Sequence, residues 1–325
     1  MKSKIFLYLI LPLIIAISSC GKEDSDVFTP SGTISGADTN WLVSVTASAP
    51  IEELQRELLY VPKLDSFESS TGATILFPEG LQVTIPANAA IASGSGTIAG
   101  RIKIEAMLIK KKGDMIRVDK PTTSFGKQLI SGGEIFVRMT NNGNELSLLP
   151  GKKISIRYND VNVSPLMRVF YGDESNPERF NWVQGQDSIV ALTQPNSIYE
   201  LQSSKLRWIN CDYFADTIGQ RTSIHASLPI NFTNANTAVY LVYKDLRSVI
   251  GIYGNATTRK FMSGNLPGGK QVTLVAISKQ GPNGYFLSHQ SFVTGFNVPS
   301  TLVQTILLHP VPTSLTDIKS YLDTL

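Results

Sequence analysis

The chain has 325 residues, 42% hydrophobic and 17% charged, with a formal net charge of +3. That is enough apolar material for ample cores and too little charge for a disordered or nucleic-acid-binding chain, because the one basic run, Lys110-Lys111-Lys112, is too short to track phosphates. Only two cysteines, Cys20 and Cys211, are present, which excludes a fold held by internal disulfides.

Met1-Lys2-Ser3-Lys4 makes a basic start, Ile5 to Ile17 an apolar core too short to span a bilayer, and Ser18-Ser19 a small-residue step before Cys20. The pattern resembles a bacterial lipoprotein signal, with residues 1–19 removed and the mature chain starting at Cys20. Such a signal implies a diacylglyceryl group on the Cys20 sulfur and an acylated amino terminus, each buried methylene contributing about 0.8 kcal/mol. Loss of Lys2 and Lys4 brings the formal charge to +1. The alternatives are an ordinary secretory peptide or a short membrane helix, and Ser18-Ser19 speaks against both. In Gly21-Lys22-Glu23-Asp24-Ser25-Asp26, the residues Lys22, Glu23 and Asp24 resemble the export signal that sends Bacteroidetes-type lipoproteins to the outer face of the outer membrane. A periplasm-facing anchor is the alternative, since a solvated linker has the same composition. Residues 20–40 read as a lipidated, flexible tether with a reach of about 20 to 25 Å.

About 285 residues follow, a length that suits two ordinary domains. Short alternating apolar runs separated by Gly, Pro, Asn and Asp predict an all-β chain of two or three β-sandwich-like domains. Trp41 to Thr46 reads as an opening strand, and Ile51, Leu54 and Leu58 behind Pro50 as a short helix. Ala73 to Phe77 and Leu81 to Ile85 flank the turn Pro78-Glu79-Gly80. Ile98 to Ile109 alternates as a strand, Glu134 to Thr140 and Glu145 to Leu148 form a hairpin through Asn141-Asn142-Gly143-Asn144, and Lys153 to Tyr158 follows.

The run Gly72-Ala-Thr-Ile-Leu-Phe-Pro-Glu-Gly-Leu-Gln-Val-Thr-Ile-Pro-Ala-Asn-Ala-Ala90 resembles the start of ZU5-like β-sandwiches, which implies such a domain over residues 41–164. Over about two thirds of its length the chain also resembles uncharacterised Bacteroidetes-type outer-membrane lipoproteins, a family that carries a location and a fold but no activity. The marks are Lys112 to Met115, Lys120 to Lys127, Ser131 to Phe136, Leu149 to Lys152 and Trp208 to Asp212. Their physical readings are plainer. Ser131-Gly132-Gly133-Glu134 lacks the Gly-Lys-Ser/Thr ending of a phosphate loop and reads as a bend or bulge at a strand start. Trp208 and Cys211 read as buried groups, with Asn210 and Asp212 capping a turn.

Residues 165–325 form a second β-rich region, a connecting module over 165–215 and a sandwich over 216–325. Strands are predicted at Met167 to Tyr171, Phe180 to Val183, Ile198 to Leu201, Leu206 to Ile209, Ile224 to Leu228, Ala238 to Tyr243, Val249 to Tyr253, Gln271 to Ile277, Tyr285 to Phe292 and Thr301 to Leu307, with a turn at Asn265 to Lys270. A terminal helix starts at Ser314, helped by Asp317, with Leu315, Ile318, Leu322 and Leu325 as its buried stripe.

His225, His289 and His309 have no zinc spacing, so neither a metal nor a cofactor is expected, and no Gly-x-Ser-x-Gly elbow appears. His225-Ala226-Ser227 and His289-Gln290-Ser291 have the His-x-Ser order of self-cleaving ZU5-containing proteins, but alternate like plain strands. The expectation is a non-enzymatic binding or envelope-organising lipoprotein, held to the membrane through Cys20, with a glycan or an envelope protein as partner and no nucleic acid. The alternative is a carbohydrate-binding or carbohydrate-cleaving accessory protein, for which Tyr171, Trp182 and Tyr285 are candidate stacking aromatics.

Overall fold

The computed structural model describes residues 39–325, except 93–95, 97, 162, 177–178, 193–196, 216–218 and 296–302. The expected lipidation residue Cys20 and export residues Lys22, Glu23 and Asp24 lie outside the described residues. The fold is all-β with three short helices, and its sheets stack in sandwich-like pairs.

The first sheet runs β1 (Lys63–Glu68), β5 (Arg101–Ile109), β7 (Lys127–Asn141), β14 (Arg207–Phe214), β10 (Arg168–Asp173) and β11 (Asn181–Gln184). The short strands β4 (Ala90–Ala92), β6 (Thr123–Ser124) and β8 (Asn144–Leu148) join it off this path. The second sheet runs β12 (Ile189–Leu192), β13 (Ile198–Ser203), β9 (Ile154–Asn159), β3 (Gln82–Ile85) and β2 (Ala73–Leu76). Ile104, Val137 and Ile209 from the first sheet share a core with Ile156 and Leu201 from the second. Strands on both sides of residue 164 belong to the first sheet, since β14 pairs with β7.

The third sheet runs β18 (Gly254–Asn255), β19 (Lys260–Pro267), β15 (Arg221–Ser227) and β22 (Val303–Leu307). The fourth runs β17 (Val249–Gly251), β16 (Thr237–Tyr243), β20 (Gln271–Gln280), β21 (Gly284–Val293) and β23 (Val311–Thr313). Ile224 and Phe261 meet Leu241 and Leu274 in the core between them.

A third apolar cluster joins the backs of the first and fourth sheets through the helices α1 (Pro50–Leu58), α2 (Lys112–Arg117) and α3 (Leu315–Asp323). Strand β16 shows why its sequence is a continuous apolar run. Val239, Leu241 and Tyr243 enter the core shared with the third sheet, whereas Tyr240 and Val242 enter the helix layer, so both faces are buried. Arg247 ties the layers further: its guanidinium donates to both oxygens of Asp160 at 2.6 and 3.0 Å and to the Gly132 carbonyl at 2.9 Å.

Local chemistry explains the elements that follow expectation. The β7–β8 hairpin turns on Asn142 and Gly143, both with positive φ (50° and 82°), the conformation in which a two-residue turn matches strand twist. In α3 the Ser314 hydroxyl accepts from the Asp317 N–H and the Asp317 carboxylate accepts from the Ser314 N–H, and Ile318 and Leu322 are buried.

Other segments differ from expectation. Trp41 to Thr46 is not a strand: the Leu42 N–H and carbonyl are both bonded by the Asn234 side chain, at 2.9 and 2.7 Å, so the segment has no strand neighbour. Strand β19 takes up Asn265 to Pro267 and shortens the expected turn there to residues 268–270. Asn210 and Asp212 cap no turn but sit within β14, where the Asn210 amide donates to Asp212 Oδ2 at 2.8 Å. The bulge at Ser131-Gly132-Gly133-Glu134 is real, but lies inside β7: Cys211 pairs with Gly133 and Asp212 with Ser131, leaving Gly132 extra.

Candidate functional site

Helix α1 is amphipathic. Its apolar stripe of Ile51, Leu54 and Leu58 is buried, and Glu52 and Gln55, three residues apart, share an adjacent face. That face lines a cleft of about 310 Å³ closed by the segment before the helix, by Asp119 after α2, by β16 and by residues 251–257. Asp119 sits at a positive φ of 50°, a conformation that aspartate tolerates better than most residues, and its Oδ1 accepts from the Tyr240 hydroxyl at 2.7 Å. The Tyr240 oxygen in turn accepts from Gln55 Nε2 at 2.7 Å. The chain of hydrogen bonds stops at Gln55 Oε1: this side chain is 8% exposed and its carbonyl oxygen has no partner.

Charge is concentrated on the same side. Burial first, and then the neighbouring Asp119 carboxylate, push the Glu52 carboxyl above its ordinary range, against the opposing pull of Arg56 and Lys120. Burial and the Asp119 carboxylate also hold the Tyr240 phenol well above its usual range, so it stays a donor. Across the cleft the Arg179 guanidinium lies 5.1 Å from the centre of the Tyr253 ring. Val45 and Ile51 supply the apolar part of the lining. The arrangement can receive a small ligand that donates hydrogen bonds to these acceptors.

A second polar group lies deeper, on the β7–β14 pair. Glu134 and Asp212 are fully buried; both oxygens of Glu134 and Oδ1 of Asp212 lack partners. Burial, and then Asp212, raise the Glu134 carboxyl well above its ordinary range, and burial raises Asp212 likewise. Burial favours the protonated form of both, and neither is open to solvent as a catalytic pair would be. Cys211, on the same strand, is buried and free among the described residues; burial raises its thiol, which removes it as a nucleophile.

The stacking candidates are not available as platforms. Trp182 is completely buried with its indole N–H on the Pro121 carbonyl at 3.1 Å, and Tyr171 is buried with its hydroxyl on Asp187 and Ser203. Tyr285 gives its hydroxyl to Glu57 at 3.0 Å, and the Lys279 ammonium covers its ring. His225 and Ser227 lie in a regular stretch of β15, and His289 stacks on Tyr321 at 4.4 Å. Among the described residues, no group of three or more His, Cys, Asp or Glu is placed to hold a metal, and no helix is long and apolar enough to cross a membrane.

Glu52 was legible only as a helix residue, and Asp119, Tyr240 and Gln55 carry no local signal that joins them. The cleft is assembled from segments up to about 200 residues apart, and only the fold brings them together. Compared with known protein families, with curated proteins and with solved structures, the chain has no match.

Proposed function

We propose that this is a lipid-anchored cell-envelope protein, fixed to the outer membrane through Cys20 and carried to the outer face by Lys22-Glu23-Asp24, whose folded part is a non-enzymatic binding module. The sequence pattern from Met1 to Asp26 supports the anchor and its address. The observation that carries the binding role is the half-open cleft under α1, where a buried acceptor, Gln55 Oε1, stands unpartnered near two carboxylates. Of the unpartnered buried acceptors, Gln55 Oε1 belongs to a residue that lines the cleft, and a ligand that donates to it would satisfy it. The resemblances to ZU5-like sandwiches and to Bacteroidetes-type lipoproteins are consistent with this reading.

A thermal-unfolding screen of the detergent-extracted lipoprotein against small polar and amphiphilic molecules tests it. A ligand held at one hundred times its dissociation constant stabilises the protein by about 2.7 kcal/mol, and its effect is lost in Gln55→Ala. If no compound stabilises the protein, or if every stabilising compound acts equally on Gln55→Ala, the cleft is not the binding site.

A further inference from the structure

We infer that the cleft under α1 is a site for a small primary amine. This deepens the binding reading and rests on it. Glu52 and Gln55 on one face of α1, with Asp119 nearby, bring two carboxylates and a carbonyl oxygen to one side of the cleft. Asp119 has one donor, the Tyr240 hydroxyl. Glu52 has no hydrogen bond or ion pair among the described residues, although its carboxyl is partly withdrawn from water and repelled by Asp119. Gln55 Oε1 has none either.

The cations nearest Glu52 are held elsewhere. Arg56 donates to the Ala47 carbonyl at 2.9 Å, and the Lys120 ammonium lies 4.6 and 5.3 Å from the Phe180 and Trp208 ring centres. Arg179 is stacked on Tyr253. None of these three cations donates to Glu52 or to Gln55 Oε1. A hydroxyl would satisfy one acceptor. An ammonium brings three N–H donors and places its charge between two carboxylates that otherwise repel each other.

Size and the apolar lining define the rest of the ligand. A volume of about 310 Å³ is at the small end for ligand pockets, which excludes an oligomer as an enclosed occupant. Val45 and Ile51 give the ligand's body a limited apolar contact.

The test is calorimetric titration of the full-length lipoprotein in detergent with phenethylamine and with 2-phenylethanol, which differ in the ammonium and match in size. The amine is expected to bind about tenfold or more tightly than the alcohol, the range of a charged hydrogen bond. Glu52→Gln, at a partly exposed helix position without a bonded partner, is expected to remove that advantage while leaving alcohol binding unchanged and the melting temperature no lower. Equal affinity for the two compounds, no binding of the amine, or unchanged amine affinity in Glu52→Gln overturns the ammonium assignment. The wider binding reading fails separately, when the uncharged members of the thermal screen also find no ligand sensitive to Gln55.

Discussion

Replacing Glu134 by glutamine should change how stability depends on pH. Glu134 is completely buried on β7 with both oxygens unpartnered, and burial, then Asp212, lift its carboxyl well above the ordinary value of 4.5. In the folded protein it keeps its proton at a pH where the unfolded chain has lost it. The stability it contributes is therefore complete below about pH 4 and is lost as pH rises toward the folded value. Between those limits one extra bound proton is worth about 1.4 kcal/mol for each pH unit. Asp212 behaves in the same way, so the wild type carries two such slopes and Glu134→Gln one. Urea unfolding at half-unit steps from pH 5 to pH 7 measures this. The stability difference between wild type and variant should shift in favour of the variant as pH rises, by up to about 1.4 kcal/mol for each pH unit over which folded Glu134 keeps its proton. Taking the difference cancels the titrating groups that do not interact with Glu134, such as His225, whose protonation burial disfavours; Asp212, which interacts with it, does not cancel. Parallel pH profiles for the two proteins would refute the reasoning, because Glu134 would then be equally ionised in both states.

Other perturbations follow from contacts in the helix layer and from the leader. Phe136, 8% exposed and 5.0 Å from the Trp208 ring centre, should cost about 3 to 5 kcal/mol on truncation to alanine, read by chemical denaturation; a cost under 1 kcal/mol would contradict its place in the core. At Gly113 an added Cβ would stand 1.8 Å from the Leu322 carbonyl oxygen, so Gly113→Ala should push α3 off α2 and expose the C-terminal residues to proteolysis, with an unchanged digest pattern contradicting the contact. Alanine in place of Lys22, Glu23 and Asp24 should protect the protein from proteinase added to intact cells, while the wild type is degraded; protection of the wild type would place it in the periplasm.

How far the fold could be read in the sequence depended on whether the cause was local. The β7–β8 hairpin was readable because Asn142 and Gly143 tolerate positive φ, and α3 because Ser314 and Asp317 cap each other within one turn. Trp41 to Thr46 alternates like a strand and is not one, because a strand needs a neighbour and Asn234 occupies that place. Val43, pointing between two half-buried residues, is 91% exposed. Helix α2 has no side-chain N-cap and contains a glycine, so its sequence gave no helical signal; the close approach of Gly113 to α3 gives it a reason. The bulge in β7 was readable from Gly132-Gly133, but not its partner strand. The carboxyl pair Glu134 and Asp212 was invisible, since two residues 78 positions apart meet only through the β7–β14 pairing. The same holds for Glu52 and Asp119, which come from α1 and from the end of α2.

Fractionation of cells expressing wild type or Cys20→Ser, with radiolabelled palmitate in the medium, tests the central claim that this binding module is held to the envelope by a lipid on one cysteine. Serine lacks the thiolate that forms the thioether. The account predicts label and membrane association for the wild type, and for the variant no label and release from the membrane fraction. An unlabelled wild type, or a Cys20→Ser protein that stays in the membrane fraction, would contradict it.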